Sequence, residues 1–181
     1  MLTACEAIAS LVHRSDGYPP YLPGELRGPR GDDGLRLSSS GVGLKPYYLG
    51  DTSALARAAR PEIAARLEPL LEAGLVARCT PTDLEAGFSS ASPAKHRALR
   101  EARPAWPMVS MDQRVLDRAV AVQDALADRS QQRGAKIADL LIAAAAEAAG
   151  LVVLHYDHDF DLIAQVTGQP TEWILPAGAV P

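Results

Sequence analysis

The chain has 181 residues, 48% hydrophobic and 22% charged, with a formal net charge of −4. That length suits one ordinary domain and excludes a second large one, and the small aromatic share of 5% predicts a core of small aliphatic side chains carried largely on helices. A net negative charge excludes general electrostatic attraction to nucleic acid, and Cys5 and Cys79, far apart and outside any CxxC or Cys/His spacing, exclude a zinc site or disulfide framework.

The opening MLTACEAIASLVHRSD lacks a basic leader and a cleavage site, so it is a poor signal peptide. The apolar stretch 137–154 is interrupted by Asp139, Glu147 and Gly150, which argues against a membrane span, and a soluble, reduced, cytoplasmic protein is expected. Leu2, Cys5, Ile8, Ala9 and Val12 share one helical face. Residues 17–46 then hold seven Gly and five Pro, so 1–44 are read as a low-complexity, disordered extension and 45–181 as the domain, with a formal charge of −3.

Within the domain, KPYYLG predicts a strand ending at Asp51, followed by a helix TSALARAAR that Pro61 ends or restarts. PEIAARLEPLLEAG continues as helix, with Ile63, Leu67, Leu70 and Leu71 on one face and Gly74 as its stop. LVARCT is a strand candidate, and TPTDLEAGFSSA a helix with Thr80 as cap, Pro81 at the first helical position and Asp83 as the reciprocal partner. SPAKHRALREAR predicts an exposed helix, PAWPMV a break, and residues from Asp112 to Arg133 a long helix. KIADLLIAAAAEAAG predicts a buried helix, LVVLHYD a strand, DFDLIAQV a short helix and TEWIL a last strand. This alternation implies an α/β fold with a parallel sheet covered by helices on both faces.

Sites in such sheets form at the carboxyl ends of the strands, which is where Asp51 and Asp157 fall. Glu85 and Asp139, each near a helix start, would complete a four-carboxylate cluster. Each acid also has a structural explanation. Asp51 can cap the helix after it, although Thr52 and Ser53 can do the same. Glu85 can be a solvated surface acid, or a capping-box partner of Thr82. Asp139 lies in a helix that is apolar on nearly every side, so its carboxylate needs a partner or a metal, and Lys136 three residues earlier can be that partner. His155 is expected to be a packed ring at a strand end, His158 exposed, Phe160 and Trp173 hydrophobic packing residues, and Cys79 a small buried residue. Oxygen-only ligands select hard cations such as Mg²⁺, which would also offset repulsion between an acidic site and a phosphate-bearing substrate.

YLGDTSAL with Asp51, TDLE with Glu85, KIADLLIAAAAE with Asp139 and VLHYDHDFDLIA with Asp157 and Asp159 together resemble PIN-domain ribonucleases, specifically VapC-type toxins of bacterial toxin–antitoxin pairs. The resemblance spans about residues 46–176. It implies a PIN-like three-layer fold with a central parallel sheet and Mg²⁺- or Mn²⁺-dependent endoribonuclease activity on tRNA or ribosomal RNA. It also implies a homodimer and inhibition by a cognate VapB-like antitoxin. Asp51 and Asp139 would be the primary metal ligands, with Glu85 and Asp157 completing the acidic pocket. Asp159 would be a secondary candidate, and Ser53 would orient Asp51 or a water at the metal. Family members usually begin close to the first strand; the long segment before it here fits a misassigned start, a regulatory tail or a partner-binding element, and its composition favours the first. Two other readings compete: a His/Asp metal phosphohydrolase acting on nucleotides through HYDHD, and a non-catalytic PIN-like binding module whose acids serve as caps.

Overall fold

The computed structural model describes residues 45–180. The extension expected over residues 1–44 lies outside them. Four short strands, β1 (Tyr48–Gly50), β2 (Val76–Ala77), β3 (Val152–His155) and β4 (Thr171–Trp173), form one all-parallel sheet in the order β2-β1-β3-β4. Seven α-helices connect them: α1 (Thr52–Leu55), α2 (Pro61–Glu72), α3 (Thr80–Phe88), α4 (Pro93–Ala102), α5 (Gln113–Ala127), α6 (Ile137–Ala149) and α7 (Asp159–Thr167). This is the expected succession of strands and helices.

The pleat divides the core in two. Leu49, Ala77 and Val153 sit in register on one face, against α5, α6 and α7 and the ring of Phe160. Tyr48, Val76 and Leu154 point the other way, against Leu55, Ile63 and Leu67 of α1 and α2. Both faces of every central strand are thus buried, which is why LVVL reads as a continuous apolar run rather than an alternating one.

The strands are shorter than the segments LVARCT and TEWIL expected to form them, the helix over TPTDLEAGFSSA ends at Phe88, and three further boundaries differ from expectation. The helix over TSALARAAR is only Thr52–Leu55; beyond it the chain tightens into three-residue turns, Ala58 N–H to Leu55 C=O and Arg60 N–H to Arg57 C=O, before Pro61 restarts it as α2. Helix α5 ends at Ala127 rather than Arg133: residues 128–133 offer no apolar side chain to bury, Gln131 N–H returns to the Leu126 carbonyl at 2.8 Å, and Ser130 has φ 59°. Helix α3 starts at Thr80, so Cys79 is the N-cap and Pro81 the second helical residue. Asp83, expected as a capping partner, instead pairs with Arg78 and lies 3.6 Å from Arg103 Nε. The two guanidiniums offer it stronger, charge-assisted contacts than a cap would.

Among the described residues no helix is long and apolar enough to cross a membrane.

Candidate active site

The sheet order makes β1 the point where the chain reverses direction: β2 lies on one side of it and β3 on the other. Side chains leaving the carboxyl ends of β1 and β3 enter the crevice between diverging connections. Asp51 follows β1 directly, with its own N–H bonded to the Leu154 carbonyl of β3 at 2.9 Å. Asp157 follows β3 two residues beyond His155. Asp139, in the first turn of α6, joins them from the helix that precedes β3.

Asp139, Asp157 and Asp159 each offer a carboxylate oxygen within 4.8 Å of the others. The ammonium of Lys136 stands among them, 2.7 Å from Asp157 Oδ2, 2.8 Å from Asp159 Oδ2 and 3.4 Å from Asp139 Oδ2. Lys136 also gives its backbone N–H to Asp139 Oδ2 at 3.2 Å, the half of a capping box in which the third helical residue reaches back to the cap. The partnership foreseen from the spacing of Lys136 and Asp139 is therefore present, but the lysine serves two further acids that the i,i+3 pattern does not reveal. Only the fold brings α6 against the loop after β3.

Asp139 is 4% exposed. Burial, a hydrogen bond shared with Asp159 and the charge of Asp51 raise its pKa to about 7, against the opposing pull of Lys136. Burial also pushes Asp51 upward, opposed by its hydrogen bonds with Ser53 and reinforced by the charge of Glu85. Asp157 goes the other way: although burial disfavours its charge, the hydrogen bond from Lys136 and the Asp159 N–H hold it below the usual carboxylate value. Lys136 in turn is held above the ordinary lysine value, because Asp157 and Asp159 outweigh its own partial burial. Five acids are thus linked in a chain: three stand around the Lys136 ammonium, the charge of Asp51 acts on Asp139, and that of Glu85 acts on Asp51.

Asp51 also caps α1: its Oδ2 accepts from Ser53 N–H at 2.7 Å, so Thr52 and Ser53 do not relieve it of that role. The Ser53 hydroxyl accepts from Tyr156 N–H at 2.9 Å, pinning the start of α1 to the end of β3, and its side chain also hydrogen-bonds Asp51. Glu85 is half-buried on α3 and has no capping duty. It lines an open hollow with Thr52, Leu84, Phe88 and Ser89. Thr82, one turn before, ties α3 to the end of β1 through its hydroxyl and the Gly50 carbonyl at 3.3 Å; sequence reasoning gave it only a capping role. Asp159 does not cap α7. Its N–H is satisfied by Asp157 Oδ1 at 3.1 Å, leaving its carboxylate to the pocket.

The histidines stay outside the carboxylate group, as expected. His155 is fully buried between Phe160 and Trp173, with ring centroids 5.0 Å from each, and burial lowers its pKa. His158 is exposed and bonds to Asp161 at 3.0 Å. Phe160 is fully buried, Trp173 packs at the sheet edge with its indole N–H on Asp161, and Cys79 is buried.

The donor set is all oxygen, and the group already stabilises one positive charge at its centre. These residues fit a hard divalent cation of the Mg²⁺ or Mn²⁺ kind.

Comparison with known proteins bears on the family and the fold. The PIN domain model matches residues 48–166. The chain is 53% identical over 133 residues to Ribonuclease VapC51 of Mycobacterium tuberculosis (strain ATCC 25618 / H37Rv), covering 74% of this chain and 96% of that protein. It is 48% identical over 132 residues to Ribonuclease VapC21 of Mycobacterium tuberculosis (strain CDC 1551 / Oshkosh), covering 72% and 96%. Its fold is similar to that in DNA-bound VapBC from Salmonella typhimurium, with a TM-score of 0.59 at 17% identity over 72% of this chain and 100% of that one. VapBC2 from Rickettsia felis, bound to a promoter DNA fragment, gives 0.57 at 15% identity over 70% and 98%. With acids converging at the switch point of a parallel sheet, and near-complete coverage of relatives about half identical to it, the chain belongs to the PIN-domain family, in its VapC branch.

Proposed function

We propose that the chain is a metal-dependent endoribonuclease that hydrolyses RNA phosphodiesters, the toxin component of a toxin–antitoxin pair acting in the cytoplasm. The observation that carries this reading is the buried carboxylate of Asp139, grouped with Asp157 and Asp159 around a cation at the switch point of the sheet. It is supported by the names of the relatives, which are ribonucleases.

In this reading residues 45–181 form the PIN unit, Asp51 and Asp139 are the primary ligands of Mg²⁺ or Mn²⁺, and Glu85 and Asp157 complete the catalytic pocket. The tight grouping of Asp159 with Asp139 and Asp157 supports a ligand role for it as well. Held by these carboxylates, Mg²⁺ or Mn²⁺ would supply water activation and charge stabilisation for in-line attack on a phosphodiester. The chain's own residues supply the orientation. Ser53 N–H fixes one oxygen of Asp51, Lys136 N–H fixes Asp139 Oδ2, and Asp159 N–H fixes Asp157 Oδ1, so all three carboxylates are held before substrate arrives. The substrate is RNA of the tRNA or ribosomal class, the partner a VapB-like antitoxin, and the assembly a homodimer.

Incubating the purified protein with structured RNA and Mn²⁺ or Mg²⁺ should give cleavage that chelation stops. Asp51→Asn and Asp139→Asn should each reduce it by at least about 10²-fold, the scale of losing one preorganised group at a reacting centre. Products should carry 5′-phosphate and 3′-hydroxyl ends. Cleavage persisting in either variant would sink the assigned mechanism.

One observation favours the non-catalytic module: Asp51 and Asp139 each serve a helix start. Those contacts occupy a single oxygen of each carboxylate, and RNA or antitoxin binding without metal-dependent turnover would establish that reading instead.

A further inference from the structure

We propose that Lys136 is a tethered counter-ion that competes with the divalent cation for the carboxylate pocket, and so sets the free metal concentration at which the protein loads. The inference rests on the metal reading of that pocket.

Three features of Lys136 lead to it. Its Nζ contacts Asp157 Oδ2 and Asp159 Oδ2 at 2.7 and 2.8 Å, and reaches Asp139 Oδ2 at 3.4 Å. A hard dication bonds carboxylate oxygens at roughly 2.0–2.6 Å. Oxygens gathered within 4.8 Å of one another have room for one cation between them, so ammonium and metal exclude each other there.

The two functions of the residue are also separable. Its backbone N–H positions Asp139, while its side chain alone fills the pocket. The four-carbon stem can swing away without disturbing the cap of α6.

Finally, the way out is open. The Lys136 side chain is 60% exposed, against 5% for Asp139, 29% for Asp157 and 24% for Asp159. The ammonium therefore reaches the carboxylates from their more exposed side. Arg57, another cation near this end of β3, is committed to the Ser53 carbonyl at 2.8 Å and to the Tyr156 ring.

Replacing Lys136 should therefore make the pocket a better metal site, the opposite of what loss of a ligand or of a purely structural lysine would do. The test uses the full chain, stripped of metal and without RNA, titrated with Mn²⁺ and read by calorimetry or by the electron paramagnetic resonance of free Mn²⁺. Lys136→Met should bind Mn²⁺ about tenfold more tightly than the parent, the scale of removing a competing ion-paired charge. Lys136→Arg should stay near the parent, and Asp139→Asn should abolish the binding, locating the ion in this pocket. Lys136→Gln repeats the charge removal with a polar side chain, should the methionine variant fold poorly. Equal or weaker Mn²⁺ binding in both neutral variants, with the parent still binding, overturns the inference alone. Absence of binding in the parent and in all variants overturns the metal reading and the inference with it.

Discussion

Asp51 performs two tasks with one carboxylate, and the two can be separated by substitution. Its Oδ2 caps α1 through Ser53 N–H, and its charge belongs to the acidic pocket. Asparagine caps as well as aspartate does, whereas alanine cannot accept the bond. Asp51→Ala should therefore be about 1 kcal/mol less stable than Asp51→Asn in urea unfolding, while both lose cleavage. Asp139 gives a second test at this scale. Folded, it keeps its proton up to about pH 7; unfolded, it returns towards its ordinary 3.8. Between those values the unfolded chain binds fewer protons than the native state, so this group's contribution to stability is full below about pH 4 and is lost as pH rises through about 7. In metal-free buffer Asp139→Asn should gain stability relative to the parent across that interval, measured as the difference in urea midpoint at successive pH values. Comparing the pair also cancels His155, whose lowered pKa destabilises both proteins as pH falls below 6.5. A difference that does not change with pH would contradict the buried, proton-sharing carboxylate.

At the scale of elements, the site depends on how closely β1 approaches its neighbours. A Cβ at Gly50 would meet Val76 Cγ1 at 2.9 Å, and Gly50 immediately precedes Asp51. Gly50→Ala should cost about 1–3 kcal/mol in unfolding free energy through overpacking. It should also lower cleavage in assays run where the variant is fully folded, because the strand end that carries Asp51 is displaced. Element types were legible here and element lengths less so. The apolar stripe of α2, the proline restart at Pro61 and the glycine after α6, with φ 65° at Gly150, all appear in sequence as local chemistry. The early end of α5 is also local, since residues 128–133 carry no apolar side chain and the last packed residue is Leu126, on a helix that packs against α6 and α7. The full role of Asp83 was hidden, because Arg103 reaches it only after α4 is folded against α3.

For the whole molecule, the sheet is filled from both sides, by Phe160 and its neighbours on one face and by Leu67 and its neighbours on the other. Phe160→Ala should cost about 3–5 kcal/mol and Leu67→Ala about 2–5. Since the two residues share no cluster but share the sheet, unfolding should remain a single transition and the two costs should add within about 0.5 kcal/mol. Separate transitions in fluorescence and circular dichroism would show that the two layers fold independently. The order of strands and helices, the parallel sheet and the acids themselves were all in the sequence by itself, because each is written in local periodicity, turn residues or strand-end position. Only the tertiary structure decided which carboxylates meet. It drew Asp159 in beside Asp139 and Asp157, kept Asp51 and Glu85 as charged neighbours, and set the Lys136 ammonium among the three, because α6 and the loop after β3 are joined by packing across residues far apart in the chain.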